Sequence, residues 1–137
     1  MSEMLKEETI KTVLRLLEEK RPGEISRMFK TMLPADIAEV IDNEEIDEKQ
    51  RTLLFRLLPK DVAAEVFVEM DSEMQQLLIE AFSDTELREV MDELFMDDTV
   101  DIIDEMPATV AKRILSQTDA KTRKMINQLL AYPDDSA

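Results

Sequence analysis

The side chains of this chain that could do chemistry are carboxylates, and they are concentrated. Residues 61–111 hold sixteen Asp and Glu and a single base, Arg88, so this stretch alone accounts for the formal net charge of −15. Between Arg88 and Lys112 there are eight acids and no base. Concentrated like charge costs a folded domain free energy unless something cationic meets it. The segment 97–106 reads as a two-faced helix. Val100, Ile103 and Met106 point inward, while Asp97, Asp101 and Asp104 fall on the opposite face, flanked by Asp98 and Glu105. Carboxylates four apart on a helix repel by roughly 0.2–0.5 kcal/mol per pair. The helix dipole accounts for Asp97 and Asp98 in the first turn but opposes Asp101, Asp104 and Glu105. A second acidic position, Glu65, lies in Asp61-Val62-Ala63-Ala64-Glu65-Val66, with Glu69 one turn later. The residues alone leave three readings open: a solvated acidic face, a surface for a divalent cation, or a surface for a basic protein.

Composition excludes much else. With no histidine and no cysteine, the chain has no Ser-His-Asp or Cys-His machinery, no imidazole ligand for a transition metal and no disulfide. A metal would be held by oxygen, which points to Mg²⁺ or Ca²⁺. The single glycine, Gly23, excludes Gly-rich phosphate loops. Asp42-Asn43-Glu44-Glu45-Ile46-Asp47 has the look of a calcium loop, but it lacks the turn glycine and puts Ile46 where a ligand belongs, so it reads as an inter-helix link. Paired carboxylates also serve glycoside hydrolysis, but a chain with 4% aromatic residues is a poor sugar cleft. A pI near 4.3 argues against nucleic acid and anionic membrane as ligands. No apolar run reaches a membrane span, and the N-terminus lacks the layout of a signal peptide.

The elements that must position these acids recur. Leu33-Pro34, Leu58-Pro59, Phe82-Ser83 and Met106-Pro107 are spaced by 25, 24 and 24 residues, and Tyr132-Pro133 follows. After each break an apolar pattern restarts at helical spacing: Ile37-Ala38 with Ile41, Val62-Ala63 with Val66, Leu87 with Val90, Val110-Ala111 with Ile114. Proline suits a first helical turn, and Ser83-Asp84-Thr85-Glu86 replaces it with a capping box. Second helices are predicted over 50–58, 72–82, 97–106 and 119–131, with Asp71 or Ser72, and Thr118, as N-caps. A capping helix is predicted over about residues 3–20, with Leu5, Val13, Leu14 and Leu17 inward. Arg21-Pro22-Gly23 is the first break, and 22–33 the next helix. The fold class is therefore all-α: an α-solenoid, or superhelix, of about ten short helices in repeats of about 24 residues. The methionines read as core filler rather than as a promiscuous groove.

The order and spacing of several short motifs resemble the intracellular N-terminal domain of MgtE-type magnesium transporters. They are Leu57-Leu58-Pro59-Lys60-Asp61-Val62-Ala63-Ala64-Glu65-Val66, Leu87-Arg88-Glu89-Val90-Met91-Asp92-Glu93-Leu94, Met96-Asp97-Asp98 and the ending Leu130-Ala131-Tyr132-Pro133-Asp134-Asp135-Ser136-Ala137. The resemblance covers nearly the whole chain. It implies a right-handed superhelix over residues 1–132, with 133–137 starting a linker to a pair of CBS domains and a transmembrane pore, in a homodimer at the cytoplasmic side of the membrane. It implies a regulatory role without catalysis: Mg²⁺ bridges the acidic faces of this domain and the CBS domains and closes the pore, and loss of Mg²⁺ opens it. The ligand-bearing positions of the family fall on Glu65, Asp97 and Asp101, with Asp98 beside them. Mg²⁺ sites completed by CBS carboxylates are half-sites in this chain and bind weakly. Asp134 and Asp135 belong to the linker or to a site completed downstream. The competing expectation is a metal-free protein-binding superhelix, similar to the middle domain of the flagellar rotor switch protein.

Overall fold

In a computed structural model, which describes residues 2–118 and 120–129, the chain is a stack of helices. In chain order they are α1 (Glu3–Glu18), α2 (Pro22–Lys30), α3 (Pro34–Ile41), α4 (Glu48–Arg56), α5 (Lys60–Glu69), α6 (Ser72–Ala81), α7 (Asp84–Glu93), α8 (Met96–Glu105), α9 (Ala108–Ser116) and α10 (Ala120–Leu129). The odd-numbered helices form one ladder, with α3 on α5, α5 on α7 and α7 on α9. The even-numbered helices form a second, with α4 on α6, α6 on α8 and α8 on α10. Helices of roughly ten residues are marginal alone, so each depends on the rungs beside it. The all-helical solenoid is as the repeat predicts.

The repeat register is visible atom by atom. Leu58, Phe82 and Met106 are buried just ahead of α5, α7 and α9. Pro34 opens α3 from inside its first turn, whereas Pro59 and Pro107 stand one residue earlier, as N-caps. Ser83 and Glu86 make the reciprocal box, Glu86 N–H to Ser83 Oγ at 3.2 Å and Ser83 N–H to Glu86 Oε1 at 3.0 Å. The core between the ladders holds Phe55, Phe67 and Phe82, with ring centroids 5.4–6.4 Å apart. Met70, Met74, Met91 and Met106 are buried within it.

Two further positions repeat at 24-residue intervals. The N-caps of α4 and α6 are Asp47 and Asp71, accepting from Gln50 N–H at 2.8 Å and Met74 N–H at 2.9 Å. Four residues on, Arg51 donates to the Ile41 and Asn43 carbonyls, Gln75 to the Phe67 carbonyl and Arg123 to the Leu115 and Thr118 carbonyls. Each thereby adds a donor to carbonyls at or just past the end of the preceding helix, where intrahelical donors run out. The α7–α8 repeat lacks both devices. Phe95 takes the N-cap position of α8 with no side-chain cap. Thr99, too short to reach across, turns back onto the Phe95 carbonyl. A missing cap costs a helix about 0.5–2 kcal/mol.

Several boundaries and orientations differ from expectation. Leu5 is exposed, and the inner stripe of α1 is Ile10, Val13 and Leu16, with Leu14 and Leu17 partly covered; α1 packs chiefly against α2 and α3. The helix expected over 22–33 ends at Lys30, and the one expected from Gln50 starts at Glu48, where Asp47 and Gln50 close a capping box. On α8 the deepest residues are Thr99, Ile102 and Ile103, and Val100 is only partly buried. The Thr118 hydroxyl donates to the Leu115 carbonyl at the end of α9. Ile46 is buried in the core and Asn43 Oδ1 accepts from Glu45 N–H, which makes 42–47 an anchored link. Tyr132, Pro133, Asp134 and Asp135 lie outside the described residues.

Candidate functional site: two adjoining acidic grooves

The acids of α5 fall in a row because they are four apart: Asp61, Glu65 and Glu69 share one face, with Ala64 and Val68 beside them. That face borders a groove of about 600 Å³. Leu33, Pro34 and Ala35 at the start of α3 form one wall, and Glu93, Leu94, Phe95 and Asp98 at the α7–α8 junction form the other. Buried Ala64 is small enough to leave the centre open. Five carboxylates and no base line this groove. A second groove of about 380 Å³ lies between α8 and the start of α6, lined by Val68, Met70, Asp71, Ser72, Gln75, Asp98, Asp101, Ile102 and Glu105. Val68 and Asp98 belong to both, so the two grooves adjoin.

This arrangement divides the predicted site residues. Glu65 and Asp98 share the first groove, and Asp98 and Asp101 the second. Asp97 lines neither and is exposed on the outer face of α8, as is Asp104. The predicted row Asp97–Asp101–Asp104 is therefore split. Asp101 turns with Asp98 and Glu105 toward α6, because Ile102 and Ile103 take the inward positions. Asp61, Glu69, Glu93 and Asp71 line the grooves beside the expected ligand positions. The four-residue steps from Asp61 to Glu69 signal a shared face in the sequence, whereas the approach of Asp71 to α8 depends on helix packing and has no local signature.

The donor chemistry fits a hard divalent cation, since every charged group in the grooves is a carboxylate. Among the described residues, however, no three such groups come together as a metal site. Mg²⁺ binding here would need waters or donors from elsewhere to complete the shell. Two carboxylates outside the first groove have altered proton affinity. The Arg56 guanidinium, at 2.6 Å, holds Glu86 down to about 2. Partial burial and then Asp71 push Asp42 above the usual carboxylate range, against the pull of Arg51.

Comparison with solved structures shows the same fold. The chain superposes with a TM-score of 0.76 and 20% identity on a crystal structure of the soluble part of a magnesium transporter, covering 95% of this chain and 51% of that one. A crystal structure of the cytosolic domain of the Mg²⁺ channel MgtE in complex with ATP gives a TM-score of 0.75 and 27% identity, covering 93% and 52%. The chain thus spans about half the length of these structures. No curated protein sequence matches it. No helix among the described residues is long and apolar enough to cross a membrane. Residues 32–135, which include both grooves, match the family described as the MgtE intracellular N domain, and the chain belongs to that family.

Proposed function

We propose that the chain is the regulatory Mg²⁺-sensing domain of a magnesium transporter, on the cytoplasmic side of the membrane and without catalysis of its own. The observation that carries this reading is the family match across residues 32–135, together with a surface of carboxylates that no base in the two grooves neutralises. Residues 133–137 would begin the linker to a CBS pair, and the whole transporter would be a homodimer. Glu65, Asp98 and Asp101 face the grooves, and Asp97 stands on the adjoining ridge. Each would lend one or two oxygens to Mg²⁺ ions completed by CBS carboxylates. The family match favours this reading over a metal-free superhelix of the rotor-switch kind.

The mechanism is electrostatic. Without cations, two acidic faces repel and stay apart. An ion that binds only the docked form, at ten times its dissociation constant, favours that form by about 1.4 kcal/mol, and several ions together move a balanced equilibrium decisively. In the full-length transporter, Asp97→Ala combined with Asp101→Ala should shift pore closure to higher cytosolic Mg²⁺ in flux measurements on proteoliposomes. An unchanged Mg²⁺ dependence would remove these residues from the mechanism.

A further inference from the structure

Phe95 breaks the repeat in a way that burial does not explain. Its counterparts Asp47 and Asp71 cap their helices, whereas Phe95 leaves α8 uncapped and is 80% exposed. Across the first groove, Leu33 breaks the repeat as well. The equivalent Leu58, Phe82 and Met106 are buried, but Leu33 is 69% exposed. Val68, between them, is also exposed. Three different elements thus bring uncovered apolar side chains to one groove, and the rim around them is Asp61, Glu65, Glu69, Glu93 and Asp98. A local rule broken at a cost to folding marks a functional position. A large aromatic in a concave, charged-rimmed patch has the anatomy of an interface anchor.

We infer that this groove docks a cationic amphipathic helix of a protein partner, with Phe95, Leu33 and Val68 against its apolar face and the five carboxylates pairing its lysines and arginines. Charge complementarity selects this occupant. A metal ion alone has no use for the apolar floor, and a purely apolar segment would leave five carboxylates facing it unpaired. A second copy of this strongly acidic chain would bring like charge to the rim. Binding of this kind needs no divalent ion, so it stands or falls separately from the Mg²⁺-bridged docking proposed above.

The probe is a fluorescein-labelled Leu/Lys peptide of roughly four helical turns, measured by anisotropy against this chain in EDTA. A scrambled peptide of the same composition and a Leu/Glu analogue serve as controls. Phe95→Asn supplies a neutral N-cap, so the variant should melt no lower than the parent while binding the Leu/Lys peptide about tenfold more weakly. The scrambled peptide should also bind about tenfold more weakly, and the Leu/Glu analogue not at all. Equal binding by Phe95→Asn or by the scrambled peptide would reduce the groove to a generic acidic patch and overturn the proposal. So would binding of the Leu/Glu analogue. Sedimentation showing a dimer that Phe95→Asn dissolves would assign the patch to a second copy and overturn it equally.

Discussion

Val68 of α5 and Asp98 of α8 line both acidic grooves, so an apolar side chain and a carboxylate mark the seam where the two surfaces meet. The seam puts Glu65, Asp98 and Asp101, though not Asp97, within one continuous surface without gathering them at one point. Glu65 reaches it from α5, and Asp98 and Asp101 from α8. With no three acidic groups among the described residues placed so that they could hold an ion together, a bound ion would keep most of its water. Calorimetric titration of this chain with MgCl₂ should therefore give weak binding, with dissociation constants of order millimolar. Submicromolar affinity would mean that the chain holds complete sites and that the half-site account is wrong.

Arg56 of α4 and Glu86 of α7 tie the α3–α4 repeat to the α7–α8 repeat, across the one between them, through two hydrogen bonds of 2.6 and 3.0 Å. Glu86 also closes the capping box on Ser83. Because the folded carboxyl is held down to about 2 against 4.5 ordinarily, the folded state releases this proton more readily than the unfolded chain. The pair's contribution is thus full above about pH 4.5 and lost as pH falls toward 2. Asp42 acts in the opposite sense. Its raised carboxyl makes the folded state hold the proton more tightly, so its unfavourable charge is relieved as pH falls. Glu86→Gln keeps the capping box and removes only the ion pair. It should lower stability in urea by about 0.5–1 kcal/mol at pH 7, since the pair is largely solvent-screened. The deficit should shrink steadily toward pH 3. A deficit that does not change with pH would assign the effect to packing rather than charge.

The ladder of helices was legible in the sequence because apolar spacing, proline breaks and a capping box all repeat in one register. Leu33-Pro34, Leu58-Pro59, Phe82-Ser83 and Met106-Pro107 each mark a helix start that the structure contains. The site was legible only in part. The acid run on α8 was plain, but whether Asp97 or Asp98 turns inward depends on Ile102 and Ile103 taking the core. A stripe counted in threes and fours cannot decide between adjacent residues. The groove itself arises where α3, α5 and the α7–α8 junction converge, at separations of some 30 residues, and no local pattern encodes it.

Arg113 of α9 is the clearest long-range staple. Its guanidinium donates to the Ile79 carbonyl, to the Phe82 carbonyl at 2.6 Å and to Asp84 Oδ1 at 3.1 Å, joining the end of α6 to the start of α7. Both carbonyls belong to buried residues at a helix end, where no intrahelical donor remains. Arg113→Met preserves the apolar stem but leaves these acceptors without the guanidinium. The substitution should destabilise by about 2–3 kcal/mol in denaturant unfolding, well beyond the cost of an ordinary surface ion pair. A loss below about 0.5 kcal/mol would show that water replaces the guanidinium freely, and that the α6–α7 corner does not depend on it.

Gly23 is not where the backbone needs a glycine. The left-handed residue is Lys20, with φ of 58°, at the end of α1. There Lys20 N–H bonds to the Leu17 carbonyl and Arg21 N–H to the Leu16 carbonyl, the paired bonds that close a helix through a left-handed residue. A side chain in that conformation costs roughly 1 kcal/mol, which glycine avoids. Gly23 sits in the first turn of α2, and a Cβ added there would meet nothing within 4 Å. Moving the glycine, by Lys20→Gly with Gly23→Ala, should therefore stabilise the chain from both ends of the link. Each change should contribute about 0.5 kcal/mol. The sum should appear as a rise of a few degrees in Tm by circular dichroism, with helix content unchanged. A fall in Tm for the Lys20→Gly variant alone would show that the lysine side chain supports this link more than its backbone conformation strains it.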